Sequence, residues 1–262
     1  MKKYIYIILS ALLVVFAASC QKTSEGKTQV VSYFQMYGAS AMYLGVGDEF
    51  VDPGFQELDG GGHVVTTITD MNGDEVAAVT TDEPGFFAIT YSTVNDQDLY
   101  FEKTRMVYIY DSTVTETLGT FKVDGQASFY YNNGKTYADN AANYANNQGR
   151  TTDDSPTITF KQVAGNIYTC NDLLGGWYTW IQGRGPLYQA NYGDAYLTYF
   201  DMTGYVTLNA DMTVTLMSSY ISAWGDGLDF IDGAVYDPET KRLVYDWQYA
   251  SAVAGHVEMV QQ

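Results

Sequence analysis

Apolar and polar residues alternate with a period of two through much of the chain, the spacing that sends successive side chains to opposite faces of a β-strand. In Phe87-Ala88-Ile89-Thr90-Tyr91 it puts Phe87, Ile89 and Tyr91 on one face. In Leu243-Val244-Tyr245-Asp246-Trp247 it puts Leu243, Tyr245 and Trp247 together. Runs rich in β-branched and aromatic residues predict strands at 28–34, 63–69, 75–79 and 85–92, with a longer one at 98–110. Turn signals separate them: Asp59-Gly60-Gly61-Gly62, Asn72-Gly73 and Pro84-Gly85. Strands at this spacing predict a β-sandwich over residues 28–111.

Beyond Asp111 the pattern breaks and then resumes. Residues 132–154 are rich in Asn, Asp, Gly and Ala with little periodicity, which predicts a long loop with a helical turn. Strands are predicted again at 157–163, 166–171, 195–200, 204–209, 213–218, 242–247 and 256–260. Asp201-Met202-Thr203-Gly204 and Asn209-Ala210-Asp211-Met212 read as hairpin turns. Residues 112–262 thus form a second, mostly antiparallel β domain, and the fold class is all-β.

The first residues follow a different rule. After Met1-Lys2-Lys3, residues 4–18 are apolar but for Ser10. That is short of the ~20 residues a membrane span needs, and it suits a secretory signal over 1–19. The segment ends Ala17-Ala18-Ser19-Cys20, which resembles the lipobox of bacterial lipoproteins, with Ala17 where those usually have Leu. The resemblance implies cleavage before Cys20 and a lipid on its thiol. Residues 20–27 are polar and read as the tether between lipid and first domain.

Composition narrows the function. The chain carries 13 Lys+Arg against 31 Asp+Glu. Removing residues 1–19 takes Lys2 and Lys3 with it, leaving 11 basic residues and a net charge of −20. Such a charge repels nucleic acid and anionic lipid headgroups, so any membrane attachment rests on the lipid, and neutral or cationic ligands are favoured over polyanions. Cys170, in the strand-like Tyr168-Thr169-Cys170-Asn171, reads as a small buried hydrophobe.

Two longer resemblances follow from quoted segments. Gly47-Asp48-Glu49-Phe50-Val51-Asp52-Pro53-Gly54-Phe55, with Glu83-Pro84-Gly85-Phe86-Phe87-Ala88-Ile89-Thr90-Tyr91 further on, resembles bacterial immunoglobulin-like modules. In the second half, Asp172-Leu173-Leu174-Gly175-Gly176-Trp177-Tyr178, Gly204-Tyr205-Val206-Thr207-Leu208, Trp224-Gly225 and Gly233-Ala234-Val235-Tyr236-Asp237-Pro238 occur in order. That order is similar to the C-terminal domain, of unknown function, in a family of Bacteroidetes surface lipoproteins. The resemblance implies an outer-membrane setting beside a SusC/SusD-type nutrient importer, and it brings no catalytic residues.

Candidate chemistry lies among the aromatic rings. All four Trp fall between 177 and 247, and 15 of the 24 Tyr lie in the second domain. Trp177-Tyr178-Thr179-Trp180 reads as a strand with Trp177 and Thr179 on one face, Tyr178 and Trp180 on the other. The loop after it carries Arg184, a planar donor fork. Trp180, Arg184, Tyr188 and Trp224 are the candidate ligand-binding residues, against the alternative that the rings are core. Asp226, Asp229 and Asp232 recur every third residue, a spacing that matches no calcium loop, and read as solvated acids. Asp70-Met71-Asn72-Gly73-Asp74 reads as a hairpin turn, lacking the sixth-position Gly and twelfth-position Glu of a calcium loop. No catalytic, metal-binding or cofactor motif stands out, and His63 and His256 sit in different domains. The reading is a non-catalytic accessory binder that captures a glycan or peptide for the importer. The alternatives are a structural component of that importer and a hydrolase.

Overall fold

The structure, a computed structural model, describes residues 34–57, 63–94 and 100–262. The signal segment, Cys20, the tether and most of the strand predicted at 28–34 lie outside the described residues.

In the N-terminal half, β1 (Phe34–Met36) pairs antiparallel with β3 (Phe55–Glu57). A five-stranded sheet runs in the order β2 (Ala41–Gly45), β7 (Tyr100–Tyr110), β6 (Gly85–Val94), β4 (Val65–Thr69), β5 (Glu75–Val76). β2 lies parallel to β7 and the other pairs are antiparallel. The period-two reading of β6 holds for Ile89 and Tyr91, which are buried with Phe34, Val107 and Ile109. Asn72-Gly73 makes the β4–β5 turn, with the Asp70 carboxylate accepting from the Asn72 and Asp74 amides.

Asp52, inside the first quoted segment, pins this half together. Arg105 is completely buried on β7. Its terminal nitrogens donate to the carbonyls of Ala39 and Tyr37, each at 2.6 Å. Its Nε stands 3.3 Å from the Asp52 carboxylate, an ion pair without hydrogen-bond geometry. The Tyr91 hydroxyl donates to the same carboxylate at 2.6 Å. Burial, then this bond, pushes the Tyr91 hydroxyl up to about 12.

The strands of the C-terminal half pair only with one another among the described residues. β8 (Thr120–Val123), β11 (Thr157–Ala164), β12 (Ile167–Cys170), β13 (Met202–Leu208) and β14 (Val214–Ile221) run side by side. On the other side of β8 come β17 (Val253–Gln261), β16 (Arg242–Tyr249) and β15 (Leu228–Asp237). All these pairs are antiparallel. A short hairpin of β9 (Phe129–Tyr130) and β10 (Lys135–Thr136) hangs on β17. The sheet curls until β14 and β15 meet, bridged only at Thr213–Val235 and Ile221–Asp226. Between those bridges the strands form no backbone ladder, though the Leu228 amide donates to the Ser219 hydroxyl at 2.8 Å, and a groove of about 400 Å³ runs along the seam.

On β16, Leu243, Tyr245, Trp247 and Tyr249 are all buried and alternate with more open residues, as the pattern predicted. Gly255 on β17 faces Trp247, and a Cβ there would stand 2.6 Å from the indole. Cys170 is buried, and burial holds its thiol well above the usual range.

Several local expectations are corrected. Residues 137–148 are a helix, α1 (Tyr137–Gln148), and not a loop. Thr136 caps it by accepting from the Asp139 amide, and Gly149 ends it in the left-handed region. Asp201–Gly204 is no hairpin turn, since β13 begins at Met202, whereas Asn209–Met212 does turn the chain into β14. The acids at 229 and 232 sit on strand β15, exposed to solvent.

The two halves touch through a small apolar contact. Tyr108, Ile167 and Met217 are buried there, and Tyr205 stacks on Tyr108 with centroids 5.5 Å apart. The Asp111 amide donates to Asn166 Oδ1 at 2.8 Å, where the chain passes from one half to the other.

Candidate functional site

The residues of interest lie where the chain leaves the strands between β12 and β13. Asp172 organises this excursion. Its buried carboxylate accepts from the amides of Leu174, Gly176 and Met202, at 3.0, 3.1 and 3.2 Å. The chain then enters a π-helical turn, Trp177–Ile181, in place of the predicted strand. Ile181 and Gln182 each donate to the carbonyl five residues back, the mark of a widened turn. Gly176 opens it at φ +80°, and a Cβ there would strike Pro156 at 2.4 Å. The wider turn abolishes the two-faced alternation, so Trp177, Tyr178 and Thr179 are all buried and Trp180 stays half-buried.

After Gln182 comes α2 (Arg184–Tyr192), then a 3₁₀ turn at Asp194–Tyr196, where a strand was predicted over 195–200. The strip Tyr188, Tyr192, Tyr196, Tyr199 has helical spacing, and its rings touch in sequence with centroids 5.4 Å apart at each step. Tyr192 is 64% exposed, Tyr196 38% and Leu187 39%. Phe200 closes the strip, edge-on to Tyr188 at 4.7 Å.

Trp224 arrives from the turn between β14 and β15, and Tyr249 from the end of β16. The Trp224 ring meets Tyr178 at 5.0 Å, Phe200 at 5.6 Å and Tyr249 at 5.8 Å, yet stays 45% exposed. The Arg184 guanidinium lies over Tyr178, Phe200 and Trp224, at 5.1, 5.5 and 5.7 Å from their centroids. Its Nε donates to Gln182 Oε1 at 2.7 Å. The Tyr249 hydroxyl donates to Asp226 at 2.8 Å on the rim. Burial pushes the Tyr178 hydroxyl up to about 12, so it stays protonated at neutral pH.

Of the four candidate residues, Arg184, Tyr188 and Trp224 meet in one cluster around Phe200. Trp180 does not join it: its ring faces Gly176, and among the described residues no other ring pairs with it. Sequence reasoning missed Tyr178, Phe200 and Tyr249, which form the floor, and the exposed Tyr192 and Tyr196. The spacing of four, four and three from Tyr188 to Tyr199 was the readable signal for the strip. Nothing in the sequence brings Tyr249 beside Trp224.

Beneath the cluster sits a pair of buried acids. The Thr179 hydroxyl donates to Asp201 at 2.5 Å, and burial pushes the Asp201 carboxyl up to about 6. Burial first, and then the charge of Asp201, raises Asp172 well above the carboxylate range against its three amide donors. Both are enclosed, so their role is to hold the π-helical turn against β13.

Two family models match successive parts of the chain. A family model of the Ig-like domain of bacterial surface proteins matches residues 34–109. A second model, of a family-specific C-terminal domain, matches residues 140–261. No curated protein matches the chain. Among solved structures, a lipoprotein of Bacteroides thetaiotaomicron is 23% identical, covers 88% of this chain and 100% of its own, and superposes with a TM-score of 0.39. The chain is an all-β protein that carries an Ig-like domain of the bacterial surface-protein type, followed by a C-terminal domain with a family model of its own.

Proposed function

We propose that the mature protein is a lipoprotein held on the outer membrane through an acylated Cys20, and that its C-terminal half captures a glycan, without catalysis, as an accessory of a SusC/SusD-type importer. The observation that carries the reading is the open ring surface of Trp224, Tyr192 and Tyr196 on a buried aromatic floor. Exposed rings on rigid support stack well against the C–H faces of sugars, because little side-chain entropy is lost on binding. The Ig-like module between tether and C-terminal half gives reach.

Adsorption of fluorescent glycans to whole cells tests this reading. Cells displaying wild-type protein adsorb glycan. Cys20→Ala moves the protein to the soluble fraction and abolishes adsorption, whereas Trp224→Ala keeps the protein on the membrane and weakens adsorption. Unchanged adsorption with Trp224→Ala contradicts the capture reading and favours a structural component of the importer. Wild-type protein in the soluble fraction contradicts the anchor.

A further inference from the structure

We propose that Arg184 and Trp224 form a subsite for a single carboxylate carried on a sugar ring, as in a uronic or sialic acid; the proposal rests on the capture reading above and names its ligand class.

The chain's arginines differ in what they face. There are four of them among a large excess of acids. Arg105 faces Asp52, and Arg242 faces Asp124 and Glu258. Arg150 donates to the Gln182 carbonyl at 2.9 Å and lies over Tyr144. Arg184 has no carboxylate partner among the described residues, and its one hydrogen bond is from Nε to Gln182. Its four terminal N–H donors are therefore free to meet an acceptor.

Geometry makes that freedom useful. Three rings and the Gln182 bond fix the guanidinium plane, so the donor fork is set before any ligand arrives. A fixed fork suits the two oxygens of a carboxylate, and less ordering entropy is lost on binding. The open Trp224 ring lies beside it. A pyranose carrying a ring carboxylate presents an apolar C–H face and an anion in that same juxtaposition, which a peptide C-terminus does not.

The charge of the molecule limits the ligand further. The mature chain carries −20, and Asp226 stands on the cluster rim, with Asp194 held by Gln189 at the end of α2. Fields beyond about 8 Å are screened at physiological salt, while a contact ion pair is not. A lone carboxylate is thus attracted by Arg184, and a densely charged polyanion is repelled by the rest of the surface.

The test uses the full-length protein in detergent and three probes: a trisaccharide ending in glucuronic acid, its methyl ester, and a tripeptide with a free C-terminus. Calorimetry reads each affinity. The acid is expected to bind wild type at least tenfold more tightly than the ester. Arg184→Gln should erase that difference, so that acid and ester bind with the same affinity, and Arg184→Lys, which keeps the cation over the rings, should retain part of it. Equal binding of acid and ester, or an acid preference that survives Arg184→Gln, overturns the proposal. A tripeptide that binds as tightly as the acid overturns the saccharide assignment. If the ester binds, Trp224→Ala weakens it and Arg184→Gln changes nothing, the capture reading stands and this inference alone fails. If neither saccharide binds, this inference fails, and whole-cell glycan adsorption decides the capture reading separately.

Discussion

At the scale of single residues, buried charge decides most. Asp201 lies beneath the ring cluster with its carboxyl raised to about 6, against about 3.9 in an unfolded chain. The folded state therefore holds the proton more tightly. This group's contribution to stability is fully present below about pH 4 and is lost as pH rises through 6, on the order of 3 kcal/mol. Asp201→Asn keeps an oxygen for the Thr179 hydroxyl and removes the titration. Urea denaturation of wild type and variant at pH 4.5 and 7.5 should show a smaller loss of stability on raising pH in the variant. Equal losses would mean that Asp201 is ionised throughout. Arg105 and Asp52 show what a sequence can disclose at this scale. The quoted Asp52-Pro53-Gly54 segment signalled an immunoglobulin-like module, but the partner that makes Asp52 matter lies 53 positions away, and no local pattern points to it.

At the scale of elements, strands with a buried face were legible and the excursions between them were not. β16 along its whole length, and β6 from Ile89 to Thr93, alternate strictly because one face of each packs into a core. α1 was hidden by its composition: YADNAANYANNQ has small and amide side chains around most of its circumference, so no apolar stripe announces it. The π-helical turn was hidden differently, since WYTW alternates like a strand while Gly175-Gly176 and Asp172 impose a helical path. β15 was hidden by Asp and Gly, because it borders the seam and leaves much of its length in water. Close packing of the curled sheet makes one glycine critical. Gly255→Ala sets a methyl group against the Trp247 ring, and such overpacking costs about 1–3 kcal/mol. Thermal unfolding should show the drop, and an unchanged midpoint would mean that Trp247 has room to move.

At the scale of the whole molecule, the described strands form three hydrogen-bonded sheets, two in the N-terminal half and one in the C-terminal half, and the halves meet through the Tyr108–Tyr205 contact and the Asp111–Asn166 bond. The all-β class was legible throughout, because turn signals and period-two runs recur along nearly the whole chain. The ring surface was legible in part: the gathering of Trp and Tyr in the second half pointed to it, and Arg184, Tyr188 and Trp224 do meet. Trp180 misled because its apparent strand face does not exist. The function proposed above requires that this surface bind saccharide and not serve merely as core. Titration of purified protein with a panel of neutral and singly acidic oligosaccharides tests it most directly, with wild type compared with the Trp224→Ala, Tyr192→Ala double variant. Removal of two exposed rings should weaken binding by about 1–3 kcal/mol and leave the unfolding midpoint almost unchanged. A variant that binds as wild type does, or one that loses several kcal/mol of stability with no saccharide bound by either protein, would contradict it.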